Sequence, residues 1–368
     1  MKRVIGLMSG TSLDGVDGAL MTTDGETVIS QLASAYRAYS AEERAVLQTA
    51  VDAALAWGFD GPQPDFSEAE TVLTRAHSDV VGDLLGDVML LKDEVDLIGF
   101  HGQTVIHRAP DGNRKGETLQ IGSGAALANV TGIPVIYDFR SADMEVGGHG
   151  APLVPLYHQA LVQGSELKGP IAIVNIGGVA NVTWVPEAGD PIAFDTGPGN
   201  GLIDAWCLEQ TGKSYDVDGA LAADGQVDNA ALEVLLAHPY FAKQPPKSLD
   251  RWDFSLDPVR RLSAENGAAT LVEFTVQSIA EALNAIGETR QVFITGGGRH
   301  NPYLMQRLTA RLGFEVRPVE AMDWDGDLME AEAFAWLAAR VEKGLPTSLP
   351  STTGCQAPVC GGRRADPE

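Results

Sequence analysis

The sequence predicts an α/β fold in which one pattern occurs twice. Each half opens on two β-rich apolar runs around a small-residue turn: "VIGLMSGTSLDGVDGALM" at Val4–Met21 and "IAIVNIGGVANVTWV" at Ile171–Val185. Each half then alternates strand-like and helix-like stretches, the grammar of an α/β domain. Each also sends a buried-type strand into a polar turn, at His101–Thr104 in the first half and Gly296–Gly298 in the second. The repeat is one of pattern and not of residues, so two unrelated α/β domains is the competing reading.

Taken in order, Val4–Met8 is continuously apolar, as suits a strand covered on both faces, and Val16–Met21 returns as its hairpin partner around Ser9–Gly15. Helical periodicity marks Glu42–Trp57 and Glu68–Leu91, where Val72, Ala76, Val80, Leu84 and Val88 form one stripe. Val95–Phe100 reads as a strand, "IPVIYDFRSAD" as another, and the glycine-rich "EVGGHGAP" leads into a helix around Leu153–Leu161. Gly147, Gly148 and Gly150 lie between the halves as one candidate hinge, with simple loop ends as the other. After the second hairpin come helices at Gly201–Gln210, Asn229–Ala237 and Ala264–Ile286, then the strand Gln291–Thr295, a glycine turn and a helix. The amphipathic Leu328–Val341 precedes a Pro/Ser/Gly-rich tail that composition marks as flexible.

Composition limits the partners. With 368 residues, 44% of them hydrophobic, the chain can bury two domain-sized cores. Its 26 Lys and Arg against 50 Asp and Glu leave a net charge of −24, which repels nucleic acid and anionic lipid. An anionic ligand therefore needs a local site of backbone N–H groups, a few cations and a bound metal ion. The three cysteines, Cys207, Cys355 and Cys360, have neither disulfide nor zinc spacing and fit a reducing cytoplasm. Val4–Met8 is too short for a signal peptide, and no apolar run approaches the roughly 18 residues of a membrane span, so a cytoplasmic protein is expected.

The first hairpin has the GxxxxG spacing of a phosphate loop at Gly10–Gly15, but Val16 stands where the lysine belongs and a strand follows instead of a helix. Two readings stand. Ser9, Gly10, Thr11, Ser12 and Gly15 can cradle phosphate through backbone and hydroxyl groups, with Asp14 and Asp17 facing it through hydrated Mg²⁺. The alternative is a tight polar turn stabilised by Asp14. Asn175, Gly177 and Gly178 form the matching hairpin turn of the second half. "FDTGPGN" delivers Asp195 from an apolar lead-in to a glycine loop holding Gly197 and Asn200, as a general base, a metal contact or a helix cap; the run exceeds what a cap requires. Gly296, Gly297 and Gly298 follow a buried strand, where mononucleotides sit in α/β sheets. His101, Gln103, Asp138 and Arg140 stand at strand ends as a candidate substrate wall.

These motifs resemble the sugar kinase, actin and heat-shock chaperone superfamily. Within it "GLMSGTSLDGVD", "FHGQT", "LQIG", "GGHGAPLVP", "NIGGVANVT", "FDTGPGN", "ITGGGRHNPYLM" and "MEAEAFAWLA" look like the anhydro-N-acetylmuramic acid kinase family, from Gly6 to about Ala339. The resemblance implies two ribonuclease-H-like (actin-like ATPase) domains of mixed sheets flanked by helices, with ATP in a cleft between them. The implied division is 1–165 with part of the sugar site, 166–325 binding nucleotide, and 326–368 as a terminal helix packing back on the first domain, then a flexible tail. It implies an enzyme of cell-wall recycling that uses ATP and Mg²⁺ to open 1,6-anhydro-N-acetylmuramic acid with water and phosphorylate its 6-oxygen. Under the resemblance Asp195 is the general base, with Asp138 as the alternative. Gly10, Thr11 and Ser12 meet the β- and γ-phosphates, Asp14 lies near Mg²⁺, and Gly296–Gly298 faces the adenosine. Glu330, His101 and Gln103 are sugar contacts, and Arg140 is a candidate partner for the lactyl carboxylate. The family suggests a homodimer, though no stretch marks the interface. Another hexosamine or carboxylate kinase, or a non-catalytic ATP-gated clamp or filament protein, are the rival readings.

Overall fold

A computed structural model describes residues 1–110, 114–249 and 253–368. The chain divides into two compact units, Met1–Ser165 with Leu328–Glu368, and Glu166–Asp327.

In the first unit the opening hairpin pairs β1 (Lys2–Ser9) antiparallel with β2 (Gly15–Thr23), and β3 (Val28–Ala38) extends it. β3 escapes the sequence reading because it is an edge strand of mostly exposed and half-buried residues, without a long apolar run. α1 (Ala41–Trp57) starts at a capping box: the Glu43 N–H donates to Ser40 Oγ, and the Ser40 N–H donates to the Glu43 carboxylate. α2 (Ser67–Asp87) follows. β4 (Leu97–Arg108) lies parallel to β1, and β5 (Glu117–Ile121) pairs antiparallel with the far end of β4. The expected loop at His101–Thr104 is therefore strand. Gly102, at φ +75°, bends it, and pairing shifts from β1 to β5 at Gln103. α3 (Gly124–Thr131), β6 (Val135–Tyr137), α4 (Ser141–Glu145) and α5 (Pro155–Gly164) complete this stretch.

The second unit repeats the topology. β7 (Ile171–Ile176), β8 (Val179–Val185) and β9 (Ile192–Pro198) form an antiparallel meander. α6 (Gly201–Thr211), α7 (Ala220–Ala223), α8 (Asn229–Leu236) and α9 (Ala264–Ile286) follow. β10 (Gln291–Thr295) joins parallel to β7, then α10 (Pro302–Leu312) leads to β11 (Val316–Pro318), parallel to β10. The chain returns to the first unit as α11 (Met329–Glu342), α12 (Pro350–Thr353) and β12 (Arg363–Ala365).

The two sheets show the duplication without sequence identity. In the first the order is β12-β6-β4-β1-β2-β3, with β5 beside β4; in the second it is β11-β10-β7-β8-β9. Each is a three-strand antiparallel meander whose first strand continues into a parallel pair. This is the mixed-sheet α/β class the sequence predicts.

Side-chain alternation assigns the faces. Ile5 and Leu7 point to the core shared with α1 and α2, while Gly6, between them, faces α11. A Cβ on Gly6 would stand 1.8 Å from the Ala331 carbonyl oxygen, and one on Gly99 of β4 would stand 2.1 Å from that of Phe334. Glycine thus lets the α11 backbone rest on the sheet.

The tail differs from its expected flexibility. β12 pairs antiparallel with β6, and the Val359 carbonyl accepts from the Thr347 and Ser348 N–H groups. The Ser348 and Thr353 hydroxyls donate to the buried Asp143 carboxylate. Hydrogen bonds order this segment where composition offers little apolar surface. Of the two candidate hinges, the glycine one is corrected. Gly148 and Gly150 are bonded to Asp143 inside the first unit, while the chain passes between units at 165–166 and 327–328.

Candidate active site

The hairpin tip is braced from beneath. Ser9 Oγ donates to Gln103 Oε1 at 2.7 Å and lies 2.9 Å from the Tyr39 hydroxyl, whose pKa burial pushes up to about 12. Gln103 Nε2 donates to the Gly10 carbonyl at 3.2 Å. Gln103 and Ser9 are buried, so Gln103 acts as a strut for the hairpin. Above them, Thr11, Ser12 and Asp14 are exposed, and Leu13, at φ +56°, plugs the turn into the core. Gly15 is a packing glycine, since a Cβ there would lie 2.4 Å from the Arg37 carbonyl oxygen. Asp17 is half-buried on β2, paired across the hairpin with Met8. Asp14 pairs with Arg44 at 3.2 Å, and both are more than half exposed.

No three His, Cys, Asp or Glu side chains among the described residues could together hold a metal ion. A divalent ion here would need its other oxygens from water and ligand. One accessible carboxylate at the tip, Asp14, suits Mg²⁺ held mainly by water and phosphate.

In the second unit three glycine turns converge. The Gly199 and Gly201 N–H groups donate to the Gly178 carbonyl, the Asn200 N–H donates to that of Gly177 at 2.7 Å, and Asn200 Nδ2 donates to that of Ile176 at 3.1 Å. A Cβ on Gly296, at φ +73°, would stand 2.1 Å from Asn175 Oδ1; one on Gly298 would stand 2.4 Å from Ile176 Cγ2. Asn175, Gly177, Gly178, Asn200 and Gly296–Gly298 are thus one cluster. Its outer rim is open: a Cβ on Gly178 meets nothing within 4 Å, and one on Gly297 meets only Asn200 Nδ2 at 3.6 Å. Backbone this accessible suits close approach by a phosphate or sugar.

Arg299, which the sequence reading missed, locks this cluster from behind. Its buried guanidinium donates to the Gly296 carbonyl at 3.0 Å and pairs with Glu320 at 2.7 Å and Asp327 at 2.8 Å. Its adjacency to the GGG turn is the only signal the sequence offered. Gly296→Ala is expected to lower the melting temperature and weaken binding of a phosphate-bearing ligand about tenfold, or ~1.4 kcal/mol, because the residue cannot keep its φ beside Asn175. Gly178→Ala should leave melting unchanged, so an affinity loss there reads ligand contact alone. Titration calorimetry and thermal melts of both variants check the pair.

Asp195 lies within β9, opposite Asn181, where a loop was expected. Residues 240–249 wrap it. The Leu249 N–H donates to Asp195 Oδ2 at 2.8 Å, the Asp195 N–H donates to the Lys247 carbonyl at 3.1 Å, and the Tyr240 hydroxyl donates to the Asp195 carbonyl. Burial pushes the Asp195 carboxyl up to about 7 against the opposing N–H bond from Leu249. A carboxylate of that basicity is matched to proton abstraction near neutral pH. Two residues on, Gly197 lets α9 approach: a Cβ would lie 2.6 Å from Ser278 Oγ.

The remaining candidates gather in the first unit. His101 Nδ1 lies 2.8 Å from the Gly102 carbonyl oxygen, which can only accept, so Nδ1 carries the proton. Nε2 then accepts from Arg140 Nη2 at 2.9 Å. Burial, then the Arg140 charge, hold the His101 pKa well below its usual value, and the ring is neutral. Arg140 also donates through Nη1 to the Gly150 carbonyl at 2.7 Å; burial lowers its pKa to about 10, against the charges of Glu330 and Asp143. Both ring nitrogens of His101 are committed, and Arg140 already feels the charges of two carboxylates, Glu330 and Asp143. Glu330, raised by burial and lowered by Arg140, presents the carboxylate of this group.

Asp138, at φ +55°, accepts from the Ser141 hydroxyl at 2.5 Å and pairs with Arg363 at 3.0 Å. These ties leave it poorly placed to act as a base. His101, Asp138 and Ser141 also line a small cavity of about 130 Å³ with Thr118, Gln120 and Tyr137.

Comparison with known proteins follows the same residues end to end. The family model described as anhydro-N-acetylmuramic acid kinase matches residues 2–364. A protein of that name from Rhizorhabdus wittichii is 50% identical over 362 residues, 97% of each chain. Those from Phenylobacterium zucineum and Caulobacter vibrioides are each 47% identical, covering 100% and 98% of both chains respectively. With whole-chain matches at this identity, the chain belongs to the anhydro-N-acetylmuramic acid kinase family.

Proposed function

We propose that this protein is an ATP-dependent kinase that opens the internal ring of 1,6-anhydro-N-acetylmuramic acid with water and phosphorylates the 6-oxygen. The products are N-acetylmuramic acid 6-phosphate and ADP. The observation that carries the chemistry is Asp195, a carboxyl raised to about 7 by burial, on the strand that enters the glycine cluster. Asp195 takes a proton from water as the water oxygen bonds to the anomeric carbon. The bond from that carbon to the 6-oxygen breaks, its electron pair stays on the 6-oxygen, and that oxygen attacks the γ-phosphorus. ADP leaves, and the Asp195 proton passes to solvent.

The chain's own groups supply orientation and charge. Ser9, Gly10, Thr11 and Ser12 offer backbone and hydroxyl donors to the β- and γ-phosphates on a tip that Gln103 keeps rigid. The open backbone at Gly177, Gly178 and Gly297 takes the rest of the nucleotide. Mg²⁺, near Asp14, would neutralise phosphate charge. Glu330 accepts from sugar hydroxyls, with Arg140 opposing the burial that raises its pKa and His101 keeping Arg140 in place. Cysteines Cys207, Cys355 and Cys360 are all unpaired, which fits a cytoplasmic site where ATP is abundant; no described helix is long and apolar enough to cross a membrane. A homodimer belongs to the same reading.

ADP release measured with and without the anhydro-sugar tests this reading, with N-acetylglucosamine and acetate run in parallel. Sugar-dependent release is expected, with labelled water delivering its oxygen to the anomeric carbon. Equal turnover on either control acceptor, or label recovered in free phosphate, would defeat it.

A further inference from the structure

The segment after α11 has no place in the chemistry above, yet it reaches the sugar-side group through one buried carboxylate. Asp143 is 1% exposed. Its Oδ1 accepts from Ser348 Oγ at 2.5 Å and from Thr353 Oγ1 at 2.6 Å, both donors themselves buried. Its Oδ2 accepts from the Gly150 N–H at 2.7 Å, and its backbone carbonyl from the Gly148 N–H at 2.9 Å. The tail adds a backbone bond to the same turn, from the His149 N–H to the Thr353 carbonyl at 2.7 Å.

That turn is what Arg140 holds. Gly150 is fixed on both sides, its N–H by Asp143 and its carbonyl by Arg140 Nη1. The Asp143 charge also supports that of Arg140 across the same short path. Arg140 in turn fixes the neutral ring of His101, and its charge acts on the Glu330 carboxyl against the burial that raises it. A buried carboxylate with charge-assisted bonds from two hydroxyls is a stiff support, and one that fails sharply when a donor is removed.

We infer that Asp143, Ser348 and Thr353 form a clamp by which the C-terminal segment positions Arg140, and through it Glu330, for the sugar. The three are positioning residues and touch no reacting atom. The inference rests on the proposed function, since it assigns Glu330 and Arg140 to the sugar side.

The test uses the full chain with Ser348→Ala, Thr353→Val and Thr353→Ser. Ser348→Ala and Thr353→Val should each raise KM for the anhydro-sugar roughly tenfold or more, with KM for ATP unchanged. Thr353→Ser keeps the hydroxyl and should restore the wild-type sugar KM. A sugar KM that stays at the wild-type value, or that moves only in step with the ATP KM and the melting temperature, overturns the clamp. If Thr353→Val fails to fold, Ser348→Ala and Thr353→Ser still decide, because one removes a donor and the other keeps it. A wild-type protein without sugar-dependent turnover defeats the proposed function itself and the clamp with it; an active wild type with indifferent variants defeats the clamp alone.

Discussion

Replacing Asp195 with Asn is expected to lower turnover by about three orders of magnitude, the scale of removing a key acid–base group, while ATP and sugar still bind. Asn keeps the shape and can still accept the Leu249 N–H, but it has no basic oxygen for the proton of water. The pH profile carries the same assignment. With the carboxyl at about 7, wild-type kcat/KM should rise with pH up to about 7 and level off above it, because the ionised form is the active one. Stability moves the opposite way. The folded-state pKa lies above the ordinary 3.8, so ionisation costs the folded state, and stability falls as pH rises from about 4 to about 7. The Asn variant escapes that loss and should melt no lower than wild type at pH 8. Steady-state kinetics from pH 5 to 9 and melts at both ends check both statements. Near-normal turnover in Asp195→Asn would remove it as the base. Asp138 would not inherit the role easily, given its bonds to Ser141 and Arg363.

The sequence made the hairpins and long helices legible because each carries its own period. β1 and β2 are apolar runs about a small-residue turn, and α9 occupies the Ala264–Ile286 span that its periodicity marks. What escaped were elements stabilised by the partners they pair with and not by a period of their own. β3 is an edge strand, and β4 outlasts its apolar run because β5 takes over pairing where β1 ends. The tail is held by hydroxyls on a carboxylate about 200 residues earlier, a link that composition cannot register. The site divides the same way. Glycines announce the turns of the second unit, since residue type alone limits what can approach there. His101, Gln103 and Arg140 read as ligand-facing because they are polar at strand ends, while in the fold they also make hydrogen bonds to groups of the protein. Sequence shows that a polar residue needs a partner; only the fold shows which partner it has.

Gly6→Ala is expected to destabilise the first unit by about 3 kcal/mol, the upper end of overpacking costs, and to raise KM for the sugar more than for ATP. The added Cβ would stand 1.8 Å from the Ala331 carbonyl oxygen and 2.6 Å from the Ala335 nitrogen. Both are backbone atoms of α11, so no side-chain rotation relieves the clash and the helix itself must lift from β1. The sequence of α11 anticipates this closeness, with Ala331, Ala335 and Ala338 on the face toward the glycines of β1 and β4. Glu330 sits in the first turn of the same helix, so lifting α11 displaces the carboxylate on which the Arg140 charge acts. Gly82→Ala in α2 is the control of opposite sign. A Cβ there meets nothing within 4 Å, and replacing a mid-helix glycine should stabilise by about 1 kcal/mol. Urea unfolding of both variants, with substrate kinetics on the folded fraction, separates them. An unchanged midpoint for Gly6→Ala would mean that α11 does not rest on the strand backbone, and would also remove the reason for a glycine at the centre of the opening strand.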